Sequence, residues 1–370
     1  LAVAAVFSGH LLGLPQGGAL GVDVFFVISG FLITGGLMRE WEATGTISLR
    51  NFYSRRARRI LPAALVVLLC VTAVSLVIRS VELTPSPLRH GLASLFFVEN
   101  WYRAHLGESP EPLSAVQHYW SLSIEEQFYL IWPLTLLVLL WLARMAPVRS
   151  RAPGAVAVVL ALVAAASLLW AAKALPGDAY GVYHATAGRV WELAAGGVLA
   201  LVGWRARVAP AARGLAVLAA VGVLLIVMLT KSGPETYPGS IFALVTVIAT
   251  MVVLALGEGA GGPAAMLLGL RPVQFLGRIS YSLYLWNWPV ILLVGVVLGR
   301  TRGYIVAAAL LSLVLAAVTY YFVEEPARRG SAFRLSRRLT VKAQPVTPEI
   351  AADSSSERDS SRAADGGRSG

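Results

Sequence analysis

Cysteine is almost missing from these 370 residues, since Cys70 stands alone. A single thiol excludes an internal disulfide framework and a thiolate metal cluster, and its place in an apolar run makes it a filler facing lipid or a neighbouring helix. Charge is scarce as well: 14% of residues are charged against 57% hydrophobic, with a mean hydropathy of +0.69. Such a chain cannot hide its apolar surface inside one soluble domain. Missing too are HExxH, CxxC, GxSxG and a GxxxxGK run ending in Ser or Thr. These absences argue against zinc peptidase, serine-hydrolase and nucleotide-hydrolysis chemistry, and no metal is expected.

Apolar runs near the ~20 residues needed to cross a bilayer recur from end to end. They fall near 1–14, 20–37, 60–79, 121–143, 154–172, 186–203, 211–229, 239–256, 276–298 and 303–323. The expectation is an all-α, polytopic membrane protein of about ten helices, with one membrane domain over 1–330. The stretch LRHGLASLFFVENWYR at 88–102 is short and mixed, which suits a re-entrant or interfacial helix better than a span. The chain starts at Leu1, already apolar, so it is expected to begin inside a membrane helix with residues missing upstream. No basic n-region or small-residue cleavage site marks a signal peptide.

Lys and Arg concentrate in alternate connections. Arg39, Arg50, Arg55, Arg56, Arg58 and Arg59 fall at 38–59; Arg144, Arg149 and Arg151 follow, then Arg205, Arg207 and Arg213. The intervening connections carry little charge, although Arg300 and Arg302 break the pattern. Cytoplasmic loops hold the positive excess, so a multi-pass cell-membrane protein with both termini cytoplasmic is expected. Topology and lipid headgroups account for most of the net charge of +11 without nucleic acid as a partner. Residues 331–370 end in a polar run without aromatic residues or apolar periodicity and are expected to be a disordered cytoplasmic tail.

Ionisable groups inside a span are unfavourable by roughly 2.5–3.5 kcal/mol each, so those retained are candidates for function. His10 is either a neutral imidazole satisfied by a neighbouring helix or a base for a substrate hydroxyl. Asp23 has no basic neighbour in sequence and reads as a helix-start carboxylate. Arg189 and Glu192, three apart, suit a self-neutralising pair on one helical face. In HYWSLSIEEQFYLIWP, Glu125 and Glu126 point about 100° apart on a helix, so at most one faces the bundle. Ser121 or Ser123 is an expected N-cap there, placing both carboxylates in a first turn favoured by the dipole. In FYSRRARRILP, Arg55, Arg56, Arg58 and Arg59 precede the third run, where guanidinium forks and helix-start N–H groups suit a phosphate. A topogenic role is equally compatible.

The ordered segments GVDVFFVISGFLIT, FYSRRARRILP, FVENW, HYWSLSIEEQFYLIWP, GRVWELAAGGVLAL, LGRISYSLYLWNWP and YYFVEEPARR resemble those of the acyltransferase family 3 proteins. These are bacterial membrane O-acyltransferases that modify sugars of surface polysaccharides, lipopolysaccharide, peptidoglycan and some secondary metabolites. The resemblance covers residues 1 to about 330 and implies an acyltransferase using acyl-CoA, often acetyl-CoA, as donor and a carbohydrate hydroxyl as acceptor.

By that resemblance His10 is the catalytic base, and Arg56, Arg59, Ile60 and Pro62 match an RxxRIxP motif that handles acyl-CoA. Glu125 matches the glutamate of WSLxxExQFY, in which Trp120 is the tryptophan, and Glu126 falls at a variable position. In the mechanism this suggests, His10 is oriented either by the neighbourhood of a family arginine expected upstream of Leu1 or by a carboxylate such as Glu125. Asp23, Trp120, Arg189, Glu192 and Asn287 are expected to bind substrate or support the site. Asn287 stands where the family usually has histidine, and asparagine cannot exchange a proton near neutral pH. Some members of the family carry a further span and an outer esterase-like domain; from the charged, polar ending a stand-alone version without that domain is expected here. The competing readings are a transporter of polysaccharide or lipid-linked sugar and a catalytically lapsed relative. Oligomeric state is not legible.

Overall fold

The computed structural model describes residues 1–78, 86–106, 114–145, 152–203, 209–299 and 301–329, and these residues form helices and no strands. Among the described residues, seven helices are long and apolar enough to cross a membrane. In chain order, α1 (Ala2–Leu12), α2 (Leu20–Thr44) and α3 (Leu49–Val77) come first. The short pair α4 (Pro87–Leu95) and α5 (Glu99–Leu106) precedes α6 (Tyr119–Met145), α7 (Ala152–Ala174), α8 (Ala179–His184) and α9 (Thr186–Val202). The remainder is α10 (Pro210–Thr230), α11 (Ile241–Gly257), α12 (Pro263–Gly269), α13 (Arg271–Arg278), α14 (Ser280–Leu298) and α15 (Arg302–Thr319). A π-helical turn, Tyr320–Glu324, follows α15.

Each of the ten expected runs lies on a helix, but α1, α9 and α11 are shorter than the seven candidate spans. The connection expected at 38–59 is largely helical. α2 continues to Thr44, where Gly45 takes a left-handed conformation (φ 73°) and its N–H reaches Trp41 O; glycine accepts that geometry without penalty. α3 starts at Leu49 behind the N-cap Ser48, whose hydroxyl accepts from Asn51 N–H. Glu40 stitches the corner, accepting from Ser48 N–H at 2.8 Å and Arg55 Nη2 at 3.1 Å. The mixed stretch at 88–102 divides into α4 and α5, with Phe97 at positive φ between them. A buried contact between His90 Nδ1 and Glu99 Oε1, 2.7 Å, ties the two together.

α9 packs between α2 and α7. Glycine permits the closest approach: a Cβ on Gly30 would stand 1.8 Å from Leu193 O, and one on Gly196 2.0 Å from Val27 O. Small residues bring helices into backbone contact, the usual route to association where lipid removes the hydrophobic drive. Leu69, Val77, Leu130, Ile131 and Phe322 are exposed, as expected of surfaces that meet acyl chains. Arg149, Arg151, Arg205, Arg207 and Arg300, and the tail at 331–370, lie outside the described residues.

Candidate active site

His10 occupies the last turn of α1, which Gly13 closes in a left-handed conformation. Its Nδ1 lies 2.9 Å from Oδ1 of Asn287, a buried residue of α14. The amide is oriented from behind, because Asn287 Nδ2 donates to Tyr284 O at 2.9 Å. Oδ1 therefore faces the histidine, and an amide oxygen only accepts. The network assigns the proton to Nδ1 and leaves the lone pair on Nε2. The indole of Trp288 meets the ring edge-on, centroids 5.0 Å apart. His10 is itself exposed, opening onto a cavity of about 380 Å³.

The other walls of this outer cavity include residues that sequence reasoning missed: Arg103, Gln117, His118, Tyr180 and His184. Arg103 binds three of them, donating to His184 Nε2 (3.1 Å), Gln117 Oε1 (3.0 Å) and Tyr180 OH (2.5 Å). His184 also contacts Tyr180 O through Nδ1, at 2.9 Å. A ring that accepts at one nitrogen and donates at the other is neutral, and burial, reinforced by Arg103, pushes His184 down to about 3. Burial and the neighbouring His10 likewise hold His118 at about 3. Neither His118 nitrogen has a well-aligned partner among the described residues. The signal was local: His118 opens the HYWSLSIEEQFY segment, but no helical period distinguishes it.

A second, inner cavity of about 240 Å³ is lined by Ser29, Arg56, Arg59, Glu125, Tyr129 and Tyr284, among others. Tyr129 OH donates to Ser29 Oγ at 2.9 Å, and Ser29 Oγ donates to Glu125 Oε1 at 2.5 Å. The Arg56 guanidinium lies 5.0 Å from the centroid of Tyr129 and 6.0 Å from that of Phe52. The four arginines thus divide. Arg56 and Arg59, on one face at i and i+3, line the cavity; Arg55 pairs with Glu40, and Arg58 lines neither cavity.

Three expectations are corrected by this placement. Because α3 begins at Leu49, the backbone N–H groups of 55–59 already serve helical hydrogen bonds, so any phosphate there must be held by side chains. The glutamates do not sit in a first turn either: α6 starts at Tyr119, Ser123 Oγ donates back to Tyr119 O, and Ser121 bonds His118 O and Tyr284 OH rather than capping. Glu126 Oε1 is buried without a hydrogen-bond partner among the described residues. Finally, Glu125 does not orient His10. It lines the inner cavity, with Ser29 as its partner, whereas Asn287 holds the histidine in the outer one.

The two cavities share Val22 and Tyr284. Tyr284 OH donates to His118 O at 3.0 Å and lies 2.5 Å from Ser121 Oγ, so its ring stands as a partition. α14 lines the route at successive turns: Ser280, Tyr281 and Tyr284 face the inner cavity, Tyr284 and Trp288 the outer one. Eight residues of helix from Ser280 to Trp288 rise about 12 Å.

Behind the partition lies the completely buried Arg189. Its Nη1 is 2.9 Å from Glu192 Oε1 and 3.2 Å from Asp23 Oδ1, and its Nε donates to Tyr183 O at 3.2 Å. Asp23 is in the first turn of α2 as expected, but it is not without a cation: tertiary packing supplies one that its sequence neighbourhood lacks. The guanidinium also stacks toward Tyr183, Trp120 and Phe26, at 4.5, 5.3 and 5.8 Å from their centroids. Trp120 and Tyr183 wall the outer cavity, and Phe26 walls the inner one. One cation therefore backs the walls of both.

Fold and site define a multi-pass helical membrane protein with an amide-locked histidine at one end of a chain of cavities and arginines at the other. Residues 1–321 match the family profile described as an acyltransferase domain, and the chain belongs to this family, acyltransferase family 3. It is 33% identical to the peptidoglycan O-acetyltransferase OatA of Listeria monocytogenes, with 89% of this chain and 54% of that protein aligned. It is 31% identical to the O-acetyltransferase OatA of Staphylococcus aureus, over 85% of this chain and 53% of the relative. The chain spans about half the length of the curated relatives it matches. No solved structure matches it.

Proposed function

We propose that the chain transfers an acyl group, in the first instance acetyl, from acyl-CoA to a hydroxyl of a cell-wall or surface glycan such as peptidoglycan. The observation that carries this reading is the His10–Asn287 contact: it leaves Nε2 unprotonated on a ring open to a cavity. The basic end of the path is the cytoplasmic, donor end, and the His10 end receives the acceptor. His10 Nε2 takes the proton of the acceptor hydroxyl as its oxygen attacks the thioester carbonyl. The C–S bond then breaks, and the imidazolium returns the proton to the departing thiolate. General-base help of this kind contributes about 10²–10⁴-fold. Asn287 holds the tautomer, as an orienting group does in a nucleophile–base–orienter arrangement. Arg56 and Arg59 attract the donor; Glu125, fixed by Ser29, tethers α6 to α2 beside it.

Transfer of labelled acetyl from acetyl-CoA to a glycan acceptor by the chain in nanodiscs tests the proposal. His10→Ala is expected to reduce turnover by at least about 10²-fold. Undiminished turnover in that variant removes His10 from the mechanism. A chain that moves glycan but consumes no acetyl-CoA in the absence of a gradient is instead a transporter.

A further inference from the structure

The inner cavity does not end at Arg59. Arg59, Ser280 and Tyr281 also line a third cavity of about 460 Å³, walled by Gln274 and Arg278 of α13 and by Glu324 and Arg328 beyond α15. Three guanidinium groups there meet one carboxylate, and that carboxylate is engaged, because Glu324 Oε2 accepts from Ser282 Oγ at 2.7 Å. Arg328 pairs with Glu325. Arg59 and Arg278 form no salt bridge with a carboxylate among the described residues. A topogenic signal needs only positive charge near the ends of spans. It does not require arginines from three separate elements to converge on one hollow. Two guanidinium forks without a salt-bridged carboxylate among the described residues, Arg59 and Arg278, gathered with the Glu325-paired Arg328 round a concave space of this size, match a polyanion with oxygens to spare.

We infer that Arg59, Arg278 and Arg328, with Gln274, form the mouth of the path and bind the nucleotide phosphates of a CoA-type donor. This subsite rests on the acyl-transfer reading above. An anionic lipid headgroup offers the same phosphate chemistry. The nucleotide is favoured because the mouth continues through Arg59 and Tyr281 into the inner cavity and, past Tyr284, to His10. A donor anchored at the mouth extends its pantetheine arm along α14, whereas a headgroup has no use for that passage. Arg59 belongs to both cavities and marks where phosphate gives way to the arm.

The test is equilibrium binding of CoA, without turnover, to the full chain in nanodiscs of neutral phosphatidylcholine and again with anionic phosphatidylglycerol. Arg278→Gln and Arg328→Gln are each expected to weaken CoA binding roughly 10-fold or more in neutral discs. Arg278→Lys should recover part of it, since charge remains but the fork is lost. Arg271→Gln, in the same short helix but outside the cavity, serves as the matched control and should leave CoA binding unchanged. Binding of S-acetylpantetheine, which has no phosphates, should be the same in all of them, and this shows that the variants are folded. Wild-type CoA affinity in both Gln variants overturns the inference. So does a defect seen only as reduced association with phosphatidylglycerol, which would assign the mouth to lipid. A wild-type chain that binds CoA at this mouth yet transfers nothing defeats the proposed function alone; one that binds no CoA defeats both.

Discussion

His10 Nδ1 lies 2.9 Å from Asn287 Oδ1, and this contact decides which nitrogen of the ring is free. Asn287 is held by Tyr284 O, so the amide cannot turn without losing that part-buried hydrogen bond. In the proposed mechanism asparagine at this position selects the tautomer, a role that needs no second proton-exchanging residue. Asn287→Ala is expected to lower kcat for acyl transfer about 10²-fold or more while leaving KM for the donor within about twofold, since in the proposed reaction the donor enters at the other end. Asn287→His should bring no large gain. Activity that appears only with histidine at 287 would mark the wild type as a lapsed enzyme.

The crossing of α2 and α9 gives a packing prediction independent of the chemistry. A methyl group on Gly196 would stand 2.0 Å from Val27 O, against backbone that cannot swing aside. Gly196→Ala should destabilise the bundle by about 1–3 kcal/mol or more and lower the yield of folded protein. Gly222→Ala, with no atom within 4 Å of its added Cβ, is the matched control. Equal melting temperatures for the two variants would refute the close crossing.

The helices were legible because a bilayer demands long apolar runs, and such runs are hard to mistake. Their ends were not. Arginine reads as loop when charge marks the boundary, yet it is a good helix former, so the turns holding Arg55 to Arg59 belong to α3. The pair Arg189 and Glu192 was visible at i and i+3, while Asp23 could not be joined to them from sequence, because only the α2–α9 crossing brings it near. His10 and Asn287 were each conspicuous, but their contact spans the chain. His118, His184 and Arg103 lie in short or aromatic segments without period, and nothing short of the fold gathers them round one cavity.

Arg189 backs both cavity walls, and its removal has a foreseeable result. Arg189→Met keeps much of the volume but leaves Asp23 and Glu192 buried without their cation. Breaking a buried ion pair from one side typically destabilises by about 3–5 kcal/mol. Little folded Arg189→Met protein is expected in a detergent size-exclusion assay. Combining it with Asp23→Asn and Glu192→Gln should restore much of the yield; failure of that rescue would mean the aromatic stacking, not the charge balance, is the main support.

His184 predicts an acid limb in stability. Burial holds its pKa near 3, below the ordinary 6.5, so between these values the unfolded chain binds the extra proton. Stability from this group is complete above about pH 6.5 and falls as pH drops toward 3. Glu99, which burial raises, acts in the opposite sense. The difference between wild type and His184→Gln therefore isolates the histidine: melting temperatures in detergent should converge as pH falls from 7 to 4. Parallel curves would show that His184 is not held neutral.

Tyr284 lies between the inner and outer cavities; in the proposed reaction these are donor and acceptor space, and a partition there serves transfer by keeping water from the thioester until the acceptor is in place. Its ring fills the boundary, and its hydroxyl fixes the ring to α6 through Ser121 and to the chain just before it through His118 O. The two contributions can be told apart. Tyr284→Phe keeps the ring and releases the hydrogen bonds, so the partition should loosen but remain. Tyr284→Ala removes the wall and joins the inner and outer cavities. Hydrolysis of acetyl-CoA without an acceptor should therefore rise in the order wild type, Phe, Ala, while the fraction of acetyl delivered to glycan falls. Because His10 and Asn287 are untouched, the total rate of thioester cleavage should drop much less than the yield of transfer. If Tyr284→Ala hydrolyses no more acetyl-CoA than wild type and delivers the same fraction to glycan, the two cavities are not compartments of one reaction path.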